Sequence, residues 1–419
     1  MENTTLSASA ADADANRAAK LTERKYWVVF GFVTLLFMLW GVAITMGDVL
    51  NKHFQNVLGV TRAESGLVQF SIFGAYAVMG IPAGLFMKRF GYKAGVLLGL
   101  ALYALGAFLF VPAADAESFA FFRGALFVLA CGLATLETVA HPFIASLGEQ
   151  ASSDRRINFA QSFNGLGTII GPMLGSYFIL SGNIGEAGSL TSVKMLYVGI
   201  GAVITLVAMA FGLLRMPILQ ADQGHGQPQH RKALPVKGLF RRRHFVWAFV
   251  AQFFNTAAQG GTWAFFINYG HEKMGLSDEV AGYYFAVSMV LMTVGRFVGT
   301  FLMKYIAPNK LLATFAACNI LMCVIIAQGW GWPSFIALLM LNFFFSIMFP
   351  TIFSLGLKDL GPYTQQASSF IVMGVVGAAV FPFIMGRVAD YDVAVAYYLP
   401  IVCYLVILLF GSRFYRPER

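Results

Sequence analysis

The sequence predicts an all-α membrane protein: twelve transmembrane helices in two six-helix halves related by pseudo-symmetry. Three observations predict it. Of 419 residues, 58% are apolar and only 12% are charged, about half the charge of a soluble domain. Long, nearly uncharged apolar windows recur, each able to cross about 30 Å of hydrocarbon. A short motif also returns at matching places in the two halves of the chain.

The windows fall near residues 27–48, 66–87, 93–112, 119–146, 158–181 and 191–214, then 245–269, 280–303, 310–328, 333–356, 366–388 and 394–412. They define a mobile N-terminal tail (1–25), a first bundle (26–214), a linker (215–243), a second bundle (244–414) and a short tail (415–419). Residues 1–25 lack the basic-then-apolar layout of a cleaved signal peptide. Alternate loops carry the basic residues: Lys88, Arg89 and Lys93, then Arg155 and Arg156, then the linker from Arg215 to Arg243. With Met1 in the cytoplasm, 22 of the 29 Lys and Arg fall on that side, as the positive-inside rule requires. The net charge of +9 is therefore topological and not a footprint for nucleic acid. Cys131, Cys318, Cys323 and Cys403 lie within spans as small packing residues, and nothing has metal-ligand spacing.

The halves echo one another. Pro142-Phe-Ile-Ala-Ser-Leu-Gly148 returns as Pro350-Thr-Ile-Phe-Ser-Leu-Gly356, each following the fourth span of its half. Ser162-Phe163 and Ser369-Phe370 follow, and Phe86-Met-Lys88 is matched by Leu302-Met-Lys304. Parallel repeats of this kind place a substrate site near mid-membrane between the halves.

Ionised groups in hydrocarbon cost roughly 2.5–3.5 kcal/mol even on the lenient insertion scale, so each needs a reason. Glu137 sits in the middle of span four behind an uncharged run from Ala125 to Leu136. Burial disfavours its charged form, which suits it to bind and release a proton; the alternative is a neutral acid bonded to a neighbouring helix. Asp48 in span one has Lys52 one turn on, so an ordinary i,i+4 ion pair competes with a proton-carrying role. Gln161 and Asn164 share a face of span five, and their paired donors and acceptors suit sugar hydroxyls as well as interhelical bonding. Span seven adds Gln259, Trp263 and Asn268, where the indole is either a sugar platform or plain core. His141 lies four residues after Glu137, on the same face. It is either a charged partner of that acid or a neutral ring that shapes the pocket. Arg296 in span eight reads as structural.

These residues resemble the fucose permease branch of the major facilitator superfamily, the symporters that carry L-fucose, glucose or galactose with protons. The resemblance runs from about Trp40 to Phe414. It is densest at Leu136-Glu-Thr-Val-Ala-His-Pro-Phe143, Phe159-Ala-Gln-Ser-Phe-Asn164, Pro350 to Gly356, Ser369-Phe-Ile-Val-Met373, and Met87-Lys88 with Tyr92-Lys93-Ala94-Gly95. It implies proton coupling at Asp48 and Glu137, and sugar contacts at Glu137, Gln161 and Asn164. Two stretches depart from the family pattern near the pocket: the run up to the aspartate reads Thr45-Met46-Gly47-Asp48 where Leu-Asn-Asp is common, and His141-Pro142-Phe143 stands where Asn-Pro-Phe is usual.

The expected activity is import of a monosaccharide, L-fucose first and glucose or galactose next, by alternating access. Protons are the coupling ion, with no other cofactor, and the protein is expected to be a monomer in the lipid bilayer of the plasma (bacterial inner) membrane. One rival is a proton-coupled drug or metabolite exporter of the same fold, because Gly167-Thr-Ile-Ile-Gly171-Pro172-Met-Leu-Gly175 resembles part of that group's span-five motif. The other is a non-transporting nutrient sensor. No His-Glu-x-x-His run, cysteine cluster or Ser/His/Asp grouping points to an enzyme. The topology is directly testable: cysteines placed in the tails or at residues 215–243 should not react with an impermeant thiol reagent added to intact cells. Reaction there contradicts the twelve-span arrangement.

Overall fold

The computed structural model describes residues 21–148, 153–181, 189–214, 236–303, 305–360 and 363–416. The tail to residue 20, the linker over 215–235 and the last three residues lie outside the described part. In the first half, α1 is Trp27–Leu58, α2 Leu67–Phe108, α3 Phe110–Asp115, α4 Phe119–Ala145, α5 Ser153–Gly175 and α6 Leu190–Leu213. In the second half, α7 is Arg243–Ala264, α8 Phe266–Met274, α9 Asp278–Leu302, α10 Pro308–Ala327, α11 Trp332–Phe345 and α12 Met348–Gly356. Then come α13 Thr364–Met373, α14 Gly377–Ala389 and α15 Leu399–Leu409. Several crossings are built from two consecutive pieces. Conversely, α2 contains two spans, separated at Gly91 by a backbone φ of 81° and ψ of 174° that only glycine adopts readily.

Eleven stretches among the described residues are long and apolar enough to cross a bilayer. The seventh span is missing from that count because Gln252, Asn255, Thr256 and Gln259 interrupt α7. It is nevertheless helical, and Gln252, Asn255 and Thr256 are buried inside the protein. Each half has its own apolar core: one cluster runs from Tyr26 to Phe211 and another from Leu239 to Phe410. Outside them Ile81, Leu206, Leu213 and Phe297 are exposed, as lipid-facing side chains are in a membrane bundle.

Helices α1 and α5 approach through glycines. A side chain added at Gly41 would run into the Asn164 carbonyl, one at Gly167 into that of Met38, and one at Gly171 into the Thr45 hydroxyl. The glycine series on span five, which resembles an exporter motif in sequence, thus serves backbone-to-backbone packing.

The hydrogen bonds and ion pairs described between the first half and the second gather at one end, opposite Trp27 at the start of α1 and Leu409 at the end of α15. Asn51 donates to the Ala264 carbonyl at 2.5 Å, and Asn268 donates to Gln55 at 2.5 Å. Asp278, at the start of α9, accepts a hydrogen bond from Asn56 at 2.6 Å through one carboxylate oxygen, and its other oxygen lies 2.8 Å from the His271 Nδ1 and 3.7 Å from the Lys52 ammonium in ion-pair contact. Nearby, Arg62 donates to the Ala389 carbonyl and pairs with Glu272, while its backbone N–H donates to Asp390 at 2.7 Å. Lys52 and Asp278 are 8% and 13% exposed at their side chains, so this pair is shielded from water far better than an ordinary surface bridge.

Removing one partner of a shielded pair strands the other charge. Asp278→Asn should therefore loosen this end: a cysteine at the buried Ser65 is expected to react about tenfold faster with an impermeant thiol reagent added outside, equivalent to roughly 1.4 kcal/mol. An unchanged rate means that the pair does not hold the end shut.

Candidate functional site

The first half brings four of the predicted residues onto one partly exposed face. Glu137 and His141 stand one turn apart on α4, and Gln161 and Asn164 stand one turn apart on α5; none of the four is fully buried. The His141 Nδ1 lies 2.9 Å from the Glu137 backbone carbonyl, and its Nε2 lies 2.9 Å from the Gln161 amide nitrogen. Phe37 of α1 meets the imidazole edge-on, with ring centroids 4.9 Å apart. The Phe37 carbonyl in turn receives the Asn164 amide at 3.1 Å. Two helix pairs are thereby locked around one polar cluster.

Glu137 has no basic residue within ion-pairing distance among the described residues apart from its interaction with His141. Its carboxyl group also meets the hydroxyl of Tyr76 on α2, which accepts a hydrogen bond from the Trp40 indole N–H. Tyr76 and Trp40 join this cluster in the structure and were not singled out from the sequence. Gln69 is a third: its amide donates to Asp48. Gln69 and Tyr76 lie seven apart on α2, hence on one helix face, and that spacing was the available signal.

Asp48 is 2% exposed, and its recorded partner is neutral. The ion pair with Lys52 suggested by their spacing does not form, because Lys52 reaches across to Asp278 in the other half. The reason is geometric: Asn51, Lys52 and Gln55 continue α1 as far as Leu58, where they face the second half.

The other four predicted residues lie outside the cluster. The Thr45 hydroxyl turns back to the Gly41 carbonyl at 3.1 Å and abuts Gly171, so it sits in the α1–α5 seam. Trp263 donates to Asn342 at 2.8 Å, and Asn342 donates to Ser288 at 2.9 Å; the indole is part of the polar brace inside the second half. Asn268 belongs to the far-end closure. Gln259 is half-buried on α7, the helix whose Ala264 carbonyl receives Asn51 of α1. Arg296 follows Thr293 by one turn on α9, on the side where Thr293 meets Gly165 of α5. Among the described residues, no group of three or more His, Cys, Asp or Glu is arranged to hold a metal.

Two apolar helical bundles tied by polar contacts at one end, with a partly exposed polar cluster on α4 and α5, have the architecture of a membrane transporter. The sequence profile of the Major Facilitator Superfamily matches residues 28–382. The chain belongs to that superfamily, in its fucose permease branch. It is 37% identical to the L-fucose-proton symporter of Escherichia coli, over 97% of this chain and 96% of that one. It is 34% identical to a glucose/galactose transporter of Brucella abortus, over 93% and 95% of the two chains. The E. coli fucose:proton symporter crystallised in an outward conformation superposes with a TM-score of 0.68 at 37% identity, covering 94% of this chain and all of that one. A D-xylose-proton symporter superposes with a TM-score of 0.76 at 14% identity, over 93% and 97% of the two chains, a likeness of fold alone.

Proposed function

We propose that the protein imports a monosaccharide together with protons, L-fucose first among the candidates and glucose or galactose next. The observation that carries this reading is the grouping of one carboxyl group, Glu137, with the amides of Gln161 and Asn164 on a partly exposed face. An acid without a fixed cation can change its charge during the cycle, and neighbouring amides match the give-and-take of sugar hydroxyls. The relatives named for L-fucose and for glucose/galactose support the same substrate class. The exporter alternative loses its main support, because the span-five glycines are accounted for by the seam with α1.

In this reading the far end faces outward and is closed, so the structure corresponds to an inward-facing state, with both termini in the cytoplasm and a single chain acting in the plasma membrane. A proton neutralises Asp48 or Glu137 while the site faces outward, sugar binds, and the halves rock. Asp48 lies under the closure and Glu137 toward the open face, so the two acids mark two depths of one path. A protonated, occupied site costs less to bury than a bare carboxylate, which discourages the empty, deprotonated carrier from cycling. One proton crossing 100 mV releases about 2.3 kcal/mol, enough for roughly 40-fold accumulation of sugar.

The deciding experiment is uptake of a panel of radiolabelled sugars into vesicles, with and without an imposed proton gradient. Accumulation should require the gradient and be confined to a few monosaccharides. Glu137→Gln, which keeps the size but not the titratable group, should abolish accumulation while sugar exchange across the membrane continues. Full accumulation by this variant removes Glu137 from the proton path.

A further inference from the structure

The bonds around His141 fix more than its own position. The Glu137 backbone carbonyl only accepts hydrogen bonds, so the His141 Nδ1 at 2.9 Å from it carries the hydrogen. In a neutral imidazole the other nitrogen is then an acceptor. The Nε2 lies 2.9 Å from the nitrogen of the Gln161 amide, so Gln161 donates to the ring and its amide cannot turn over without setting two acceptors against each other. The Gln161 oxygen has no hydrogen-bond partner among the described residues and is not among the buried unpaired atoms, so it stays accessible on the partly exposed face between the helices. Asn164 is committed in the same sense, because its amide nitrogen donates to the Phe37 carbonyl.

We infer that His141 is a positioning residue that sets the hydrogen-bonding polarity of the substrate site: by fixing Gln161 with its carbonyl oxygen toward the cavity, it makes that position recognise a sugar hydroxyl as a donor. This rests on the reading of the protein as a sugar carrier and deepens it. An asparagine at 141 carries both a donor and an acceptor and leaves Gln161 free to present either end. The histidine restricts the choice, so this chain discriminates between sugars by which hydroxyl can give its hydrogen at that point.

The test compares a transported monosaccharide with its deoxy and deoxyfluoro analogues at each ring position, because fluorine fills the hydroxyl's place but cannot donate. In the unaltered protein at pH 8, one ring position should show both analogues binding about tenfold more weakly than the sugar, and equally so. In His141→Asn the deoxyfluoro analogue should bind at least threefold better, relative to the deoxy analogue, than it does in the unaltered protein. A fluoro preference already present at every position of the unaltered protein, or an identical pattern in the two proteins, overturns the proposal.

A second measurement does not depend on sugar or on the folding of His141→Asn. Nitrogen-15 NMR of histidine-labelled protein in bilayers should show His141 as the neutral Nδ1–H tautomer at pH 8, with an Nε2 signal that shifts in Gln161→Met. An Nε2–H tautomer or a doubly protonated ring overturns the assignment. If no sugar in the panel binds the unaltered protein, the sugar reading fails, and the tautomer still decides whether His141 orients Gln161.

Discussion

A carboxylic acid inside the bundle, with no fixed cation beside it among the described residues, is the constraint around which this bundle is arranged. Glu137 lies well inside α4, Phe119–Ala145, and the groups that meet it are His141 and the hydroxyl of Tyr76. A permanent salt bridge would make its charge a fixed feature; hydrogen bonds leave it able to gain and lose a proton. The neighbouring contacts follow from the same need. Trp40 braces Tyr76, His141 is tied to its own helix and to Gln161, and Asn164 is tied to α1. Glycines 41, 167 and 171 let α1 and α5 approach closely enough for these bonds to form.

The second constraint is that such a site must face one side of the membrane at a time. The structure meets it with charge placed between the halves at a single end. Lys52 pairs with Asp278 of the second half rather than with Asp48, and His271 and Asn56 also lie against Asp278. One consequence is the closure itself. The other is that Asp48 is met by the Gln69 amide and by no cation among the described residues, so the same Lys52–Asp278 pair that ties the halves together leaves this acid without its nearest basic neighbour.

Much of this was legible in the sequence, for identifiable reasons. Spans are fixed by length and apolarity, so their limits agree with the helices to within a few residues for most of the chain. The first helix is the clear exception: it runs to Leu58 because Asn51, Lys52 and His53 are buried against neighbouring helices rather than dissolved in a loop. Glu137, Gln161 and Asn164 were readable because polar residues in apolar spans are few and share helix faces. What sequence spacing does not convey is which side chain from another helix will compete for a partner. Lys52 was available to Asp48 by its spacing and is taken by Asp278; Trp263 has the chemistry of a sugar platform and is held by Asn342. Tyr76 and Trp40 went unnoticed because a lone aromatic in an apolar span looks like core until the other helices are in place.

The central claim is that protons and sugar enter together. The most direct test is to record external pH in a lightly buffered suspension of de-energised cells or vesicles containing the protein while a transported sugar is added. The account predicts immediate alkalinisation of the medium that scales with sugar entry and is absent in membranes lacking the protein. Sugar entry with no accompanying change in external pH would contradict it.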